Sequence, residues 1–426
     1  MRYDHNSNKL VSPTAEISVV ASLEESGVVN NAGNLYSSRD AFARLRTSNP
    51  YTLFDSTFVY SDNSNDWASS TSGSATSTFT QNESAVFLST TTSSGDQAIR
   101  ESRRVFSYQP GKSLLILCSF VMSPSQENLR QRIGYFSTQN GIYLEQDGTD
   151  VYIVKRSYVS GSVVNTRISQ SEWNVNKLDG TDQHKTTLDL SKAQIFWTDL
   201  EWLGVGSVRA GFVINGQFIL CHIFHHANQT NSIYMSSASL PIRVEITNTD
   251  TISEAATLKQ ICCSVISEGG YEDHSSHWSA TRTTALTSST SYSPVVSIRM
   301  NSGRENSIIL PTQIHVTGDG NNAFYEWALI RNAAITGGTW SNHTPSSNNV
   351  QYNSNATSMS GGIVVNSGVF SSTTQGSAAL NLDLAYNYSL QLGRDLTPTS
   401  DTMTLSVRHL AVGGNVYGSL NWHDLT

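Results

Sequence analysis

Two carboxylates, Asp199 and Glu201, stand two residues apart in the run Trp197-Thr198-Asp199-Leu200-Glu201-Trp202. On an extended strand such residues share one face, about 6.6 Å apart along the backbone. Glycoside hydrolysis uses two carboxyl groups roughly 5–9.5 Å apart, one protonated and one ionised. The pair meets that spacing. A solvent-facing strand alternates in the same way, however, and no third acid follows Glu201 within the next six residues. His222, His225 and His226 raise metal binding as a second chemistry. Along a strand His222 and His226 would lie about 13 Å apart, with His225 on the other side, too far for one ion. His274 and His277 sit beside Glu272, Asp273 and the pair Gly269-Gly270, a loop-forming context. The chain has no Gly-rich phosphate loop ending in Lys-Ser/Thr, no His-Glu-x-x-His and no Gly-x-Ser-x-Gly. The expectation is a protein without catalytic residues, metal or cofactor.

Aromatic rings offer binding instead of catalysis. Trp67, Trp173, Trp278, Trp340 and Trp422 fall in polar surroundings, where a ring can stack on a sugar, seal an interface or plug the end of a sandwich. Of these, Trp173, Trp278 and Trp340 are the candidate glycan contacts. Trp197, Trp202 and Trp327, within strand-like runs, read as strand core.

Strands must position all of these groups. Leu114 to Val121, Val86-Phe87-Leu88 and Val151 to Val154 are β-branched or aromatic runs bounded by Gly, Asn, Asp or Ser. The clearest unit is Ser207 to Ile214, then Asn215-Gly216, then Gln217 to Ile223. An Asn-Gly pair between two such runs suits a type I′ turn. That turn would set Ile214 against Gln217, Phe212 against Ile219 and Arg209 against His222. Residues 141 to 154 predict a second hairpin through Asp147-Gly148.

Composition narrows the class. Ser, Thr and Asn supply about a third of the chain, hydrophobic residues 38% and charged residues 14%. Charge is too sparse for a coiled coil, and no apolar run approaches the roughly 18 residues of a membrane helix. Aromatics at 9% exclude bulk disorder. A net charge of −8 argues against a nucleic-acid partner, because duplex binding needs clustered Lys and Arg. The four cysteines, Cys118, Cys221, Cys262 and Cys263, do not space as a disulfide framework and read as free thiols.

The chain divides by pattern into a docking arm (1–60), a large β-sandwich (61–270), a linker (271–293) and a smaller C-terminal sandwich or jelly roll (294–426). In the arm, Ser38 to Arg46 predicts about two turns of helix stopped by Pro50. Arg44, Arg46, Tyr51 and Phe54 are its candidate anchors. The fold class is all-β.

Several stretches resemble a group of tailed-phage virion proteins. They are Trp173-Asn174-Val175-Asn176-Lys177-Leu178-Asp179-Gly180, Leu188 to Trp197, Glu201 to Gly206 and Gly211 to Gln217. Ala41 to Arg46 with Pro50 to Ser56, and Ile298 to about Phe370, are similar to the same group. The resemblance covers about two thirds of the chain and carries over no catalytic residue. It implies a structural, homo-oligomeric component of a virion, assembled in the host cytoplasm on other virion proteins. The hairpin at Asn215-Gly216 is also similar to that of concanavalin-like and laminin-G-like sandwiches. This second resemblance keeps a cell-surface glycan among the expected partners.

Overall fold

A computed structural model describes residues 49–426 except 182–184, 273, 345–346, 373–378, 384–389 and 398. Within residues 1–48 it describes the short strands Arg2–Asp4, Lys9–Val11, Ser22–Leu23 and Val29–Asn30. The chain forms two compact units, Met1–Asn49 and Pro50–Thr426. In the first unit, Arg2–Asp4 pairs antiparallel with Lys9–Val11, and Ser22–Leu23 with Val29–Asn30. Arg44, Arg46 and the expected helix over 38–46 lie outside the described residues.

The second unit is all-β and contains two sandwiches. In the larger, an eight-stranded antiparallel sheet faces a seven-stranded one. Alternation builds it. Leu114, Ile116, Cys118 and Phe120 of Leu114–Val121 point inward, as do Leu129, Ile133 and Tyr135 of Leu129–Phe136. Neighbours in each sheet are often distant in sequence: Leu114–Val121 lies between Gln194–Leu200 and Ala256–Ser267. Trp67–Ser72 and Thr76–Thr80, from the Ser/Thr-rich stretch, end one sheet each.

The Asn215-Gly216 turn is left-handed at both residues, with φ 53° and 74°. Ile214 pairs with Gln217 and Phe212 with Ile219, as the turn requires. Beyond them a bulge between Ala210 and Gly211 shifts the register, so Arg209 faces Ile223 rather than His222. A β-carbon on Gly211 would lie 2.0 Å from the Ile219 carbonyl oxygen, so this close approach needs glycine.

Two expected boundaries are corrected. Tyr51–Thr57, assigned to the arm, pairs with the 262–267 half of Ala256–Ser267. The segment contributes Leu53 and Phe54 to the large core, Phe58 just after it joins them, and Ser56 Oγ accepts a 2.9 Å hydrogen bond from Trp67 Nε1. The segment therefore belongs to the larger sandwich's sheet and core. The expected linker contains a twelve-residue strand, Ser276–Thr287, paired with Asn415–Asp424. Its Ser/Thr content misled because β-branched Thr suits a half-exposed edge strand, and only Ala280, Arg282 and Leu286 are buried.

The smaller sandwich stacks a four-stranded sheet on a six-stranded one around Ile298, Ile314, Trp327, Leu405, Leu420 and Trp422. Ion pairs join it to the larger. Arg103 reaches Asp395 at 2.6 Å and Asp401 at 2.7 Å, and Arg394 reaches Glu101 at 2.6 Å. Gln391 Nε2 adds a 3.0 Å bond to the Val105 carbonyl.

Candidate functional site

The acid pair lines a cleft of about 510 Å³, with Lys112, Ser113, Ser207 and Arg209 around it. Gln194–Leu200 carries Asp199 on the outer face of its sheet, and register places Arg209 directly opposite. The Arg209 guanidinium donates to the Asp199 carboxylate. Burial pushes the Asp199 carboxyl above its ordinary value, while Arg209 opposes the shift. Glu201, past the strand end, accepts from the Ser207 N–H at 3.4 Å. Ser113 Oγ donates to Glu268 at 2.8 Å, and Lys112 Nζ to Gln109 Oε1 at 2.8 Å. Every ionised group named here is engaged by a neighbour in its own fold.

The histidines beside this cleft are structural. His226 stacks on Tyr234, with Nδ1 donating to the Gly206 carbonyl at 2.7 Å and Nε2 2.8 Å from Lys155 Nζ. His222 Nδ1 accepts from the Asn174 N–H at 3.4 Å. His274 contacts Glu272 at 3.0 Å. Among the described residues no group of three or more His, Cys, Asp or Glu is placed to hold a metal ion.

The candidate glycan contacts separate. Trp173 is a core residue, 2% exposed, stacked against Phe212 and donating to the Ile168 carbonyl at 3.2 Å. Its polar sequence neighbours hid a ring that caps the sandwich, and it is not a glycan contact. Trp67 and Trp422 are likewise buried in strands. Trp340 lies half-buried under the Arg299 guanidinium, 4.2 Å from ring centre to Cζ. Trp278 lines a cleft of about 360 Å³ on the smaller sandwich, with His277, Ser279, Gln313, His343, Asn421 and Trp422.

Of the candidate anchors, Phe54 is corrected to core. It is 4% exposed and packs on Phe106 at 4.9 Å, with the Arg104 guanidinium 5.4 Å away. Tyr51 remains at the surface beside Tyr271, ring centres 5.7 Å apart. Sequence reasoning missed Arg103, Arg394, Asp395 and Asp401, because partners almost 300 residues apart leave no local signal. It also missed His343, which stands alone in a Ser/Asn-rich stretch.

No protein-family model matches the chain, and no curated protein matches it. Similar solved structures include the carbohydrate recognition domain of Emp47p, at 9% identity and TM-score 0.33, over 51% of this chain and 97% of that one. A glycoside hydrolase family protein from Mycobacterium thermorestibile gives 9% and 0.36, over 50% and 99%. The CBM2 module of the evolved Dit of Lactobacillus casei BL23 phage J-1 gives 6% and 0.34, over 53% and 100%. None of these values assigns a function to this chain.

Proposed function

We propose that this chain is a non-enzymatic structural subunit of a bacteriophage virion, docked through residues 1–49 and displaying its two sandwiches as one body. The observation that carries the reading is the division of the chain at residue 49. The body beyond it contains its own cores, and its two sandwiches are tied by Arg103 and Arg394. Arg103 and Asp401 are largely withdrawn from water, so loss of either would leave the other charge buried and uncompensated. Such a body suits projection from a particle, and the separate segment suits attachment to a neighbour. The sequence resemblance supports the same role, and the engagement of Asp199 by Arg209 favours structure over catalysis.

The test is incorporation of a chain lacking residues 1–49, measured by mass spectrometry of purified particles. The cut belongs here and not after residue 60, because Tyr51–Thr57 is part of a sheet. The shortened chain should keep the full chain's cooperative melting and be absent from particles. Its presence at full stoichiometry would overturn the docking role.

A further inference from the structure

We infer that the cleft lined by Trp278, Trp422 and His343 is a binding site for a neutral saccharide, with the His343 ring as its movable cover. The inference goes beyond the structural role and rests on unmet hydrogen-bonding demand. Trp278 and Trp422 are direct partners across the pairing of Ser276–Thr287 with Asn415–Asp424, and therefore share a face of the four-stranded sheet. His343 comes from the other sheet, in the short strand Ser341–Thr344 at its edge. Its ring centre lies 4.9 Å from that of Trp278 and 5.7 Å from that of Trp422.

Three nitrogens in this group are buried and without a hydrogen-bond partner: Trp278 Nε1, Trp422 Nε1 and His343 Nδ1. A buried donor or acceptor left unpaired costs about 1–3 kcal/mol, and folded proteins retain few. The perpendicular approach of Trp422 to the His343 ring supplies at most a weak N–H···π contact. His343 Nε2 lies 2.8 Å from the Ser279 carbonyl, which can only accept, so Nε2 is the donor. In the neutral ring Nδ1 is then a lone-pair acceptor. The ring cluster thus holds two unmet donors, the indole N–H groups, and one unmet acceptor on the ring that moves.

A hydroxyl group serves both. It accepts from an indole N–H and donates to an imidazole nitrogen or a carbonyl. Several hydroxyls on one rigid apolar frame describe a sugar, whose C–H face also packs on aromatic rings. His277 and His423, stacked with centres 3.7 Å apart, and the amide pair Asn421–Gln313 (2.9 Å) line the cleft from the opposite face of the strands that carry the indoles. The lining contains no Asp, Glu, Lys or Arg, so apart from the imidazoles of His277, His343 and His423 nothing in it compensates a ligand charge. This selects neutral over acidic sugars. The volume of about 360 Å³ falls within the usual range of small-ligand sites, roughly 300–1,000 Å³.

The surrounding rings close the three nitrogens off from water, so binding requires one ring to move. His343 is that ring. It is half-buried on a four-residue edge strand and makes one hydrogen bond, whereas Trp422 is fixed in the core. When His343 swings aside, a hydroxyl takes its place on the Ser279 carbonyl and another accepts from the indoles. Closing is therefore a tax on affinity that loss of the ring removes.

The experiment is a tryptophan-fluorescence titration of the full chain with cellohexaose, xylohexaose, mannohexaose and chitohexaose, and with an oligogalacturonide as the acidic arm. At least one neutral sugar should bind in the millimolar range or tighter, and the acidic one at least about tenfold more weakly. Trp278→Ala should weaken binding at least about tenfold, and His343→Ala should tighten it about threefold. Asp199→Asn, in the other cleft, should leave it unchanged. Near-UV circular dichroism checks that the variants fold, and the His343→Ala gain keeps the test sharp if Trp278→Ala does not. No binding by any neutral sugar, stronger binding of the acidic one, or weaker binding in His343→Ala overturns the inference. Failure here leaves particle docking untouched, because the two are measured on different samples.

Discussion

The two clefts differ in a way that reverses their first appearance. The larger one gathers the charged residues that look like chemistry, yet each has an answer within the fold: Asp199 in Arg209, Glu201 in the Ser207 N–H, Lys112 in Gln109. The smaller one has no charged lining residue and leaves three polar nitrogens unanswered. A group already satisfied gains little from a ligand, because binding first breaks what it has. An unsatisfied buried group gains the full hydrogen bond, its desolvation having been spent on folding. The pointer to a ligand is therefore unmet demand, not the charge of the residues that line a cavity.

The largest test of this contrast is at Trp422. Replacing it with Ala should cost about 3–5 kcal/mol, the usual price of emptying an aromatic core position. Trp422→Phe keeps most of the ring and deletes the unpartnered N–H. It should cost less than about 1.5 kcal/mol, because a smaller cavity is offset by the removed unsatisfied donor. Urea denaturation of both variants checks the difference. A Phe variant as unstable as the Ala variant would mean that Trp422 Nε1 is already satisfied.

In the charged cleft the expectation is opposite, since removing a partner creates demand. Arg209→Ala leaves Asp199 buried and unpaired. The cost should be about 1–2 kcal/mol at neutral pH, below the range for fully buried pairs because Arg209 is 53% exposed. It should shrink as pH falls and Asp199 takes up a proton. A denaturation midpoint unchanged at pH 7 would show that the pair contributes nothing and weaken the contrast.

How much of this was legible in the chain depends on range. The all-β class, the strand Leu114–Val121 and the Asn215-Gly216 turn follow from local rules, because alternation and positive φ are written in neighbouring residues. The bulge at Ala210/Gly211 was not legible, since only the approach of the Ile219 carbonyl makes Gly211 necessary. Trp278 was singled out and does line a cleft, but Trp173 was chosen on the same evidence and lies in the core. Trp173 follows the short 3-10 turn Gln170–Glu172, so its polar context is indeed that of a loop but does not say whether the ring points out or caps the core. His343 could not be found, because its significance lies in two indoles from a strand pair elsewhere in the chain.

The smallest effect concerns pH and sharpens the comparison from the charged side. Both nitrogens of His226 are used beside that cleft, whereas His343 keeps one unbonded. With Nδ1–H on the Gly206 carbonyl, His226 Nε2 carries the lone pair that faces Lys155. Protonating it would set N–H against ammonium. Burial, with the charges of Lys155 and His225, outweighs the Gly206 bond and holds the His226 pKa below its ordinary value. His222 is pulled down to about 4, by burial first and then by His225 and Lys155. An unfolded histidine titrates near 6.5. Below that pH the unfolded chain binds more protons than the folded one. Stability present above about 6.5 is therefore lost as pH falls toward about 4. Asp96 and Glu245, whose carboxyls are held low, lose their contribution only at lower pH. The urea midpoint should fall across this histidine window, with a shallower slope in His222→Gln and in Lys155→Met, which removes the shared cation. The same slope in both variants would show that these rings titrate freely in the folded chain, and that the charged cleft's surroundings are less completely answered than their hydrogen bonds imply.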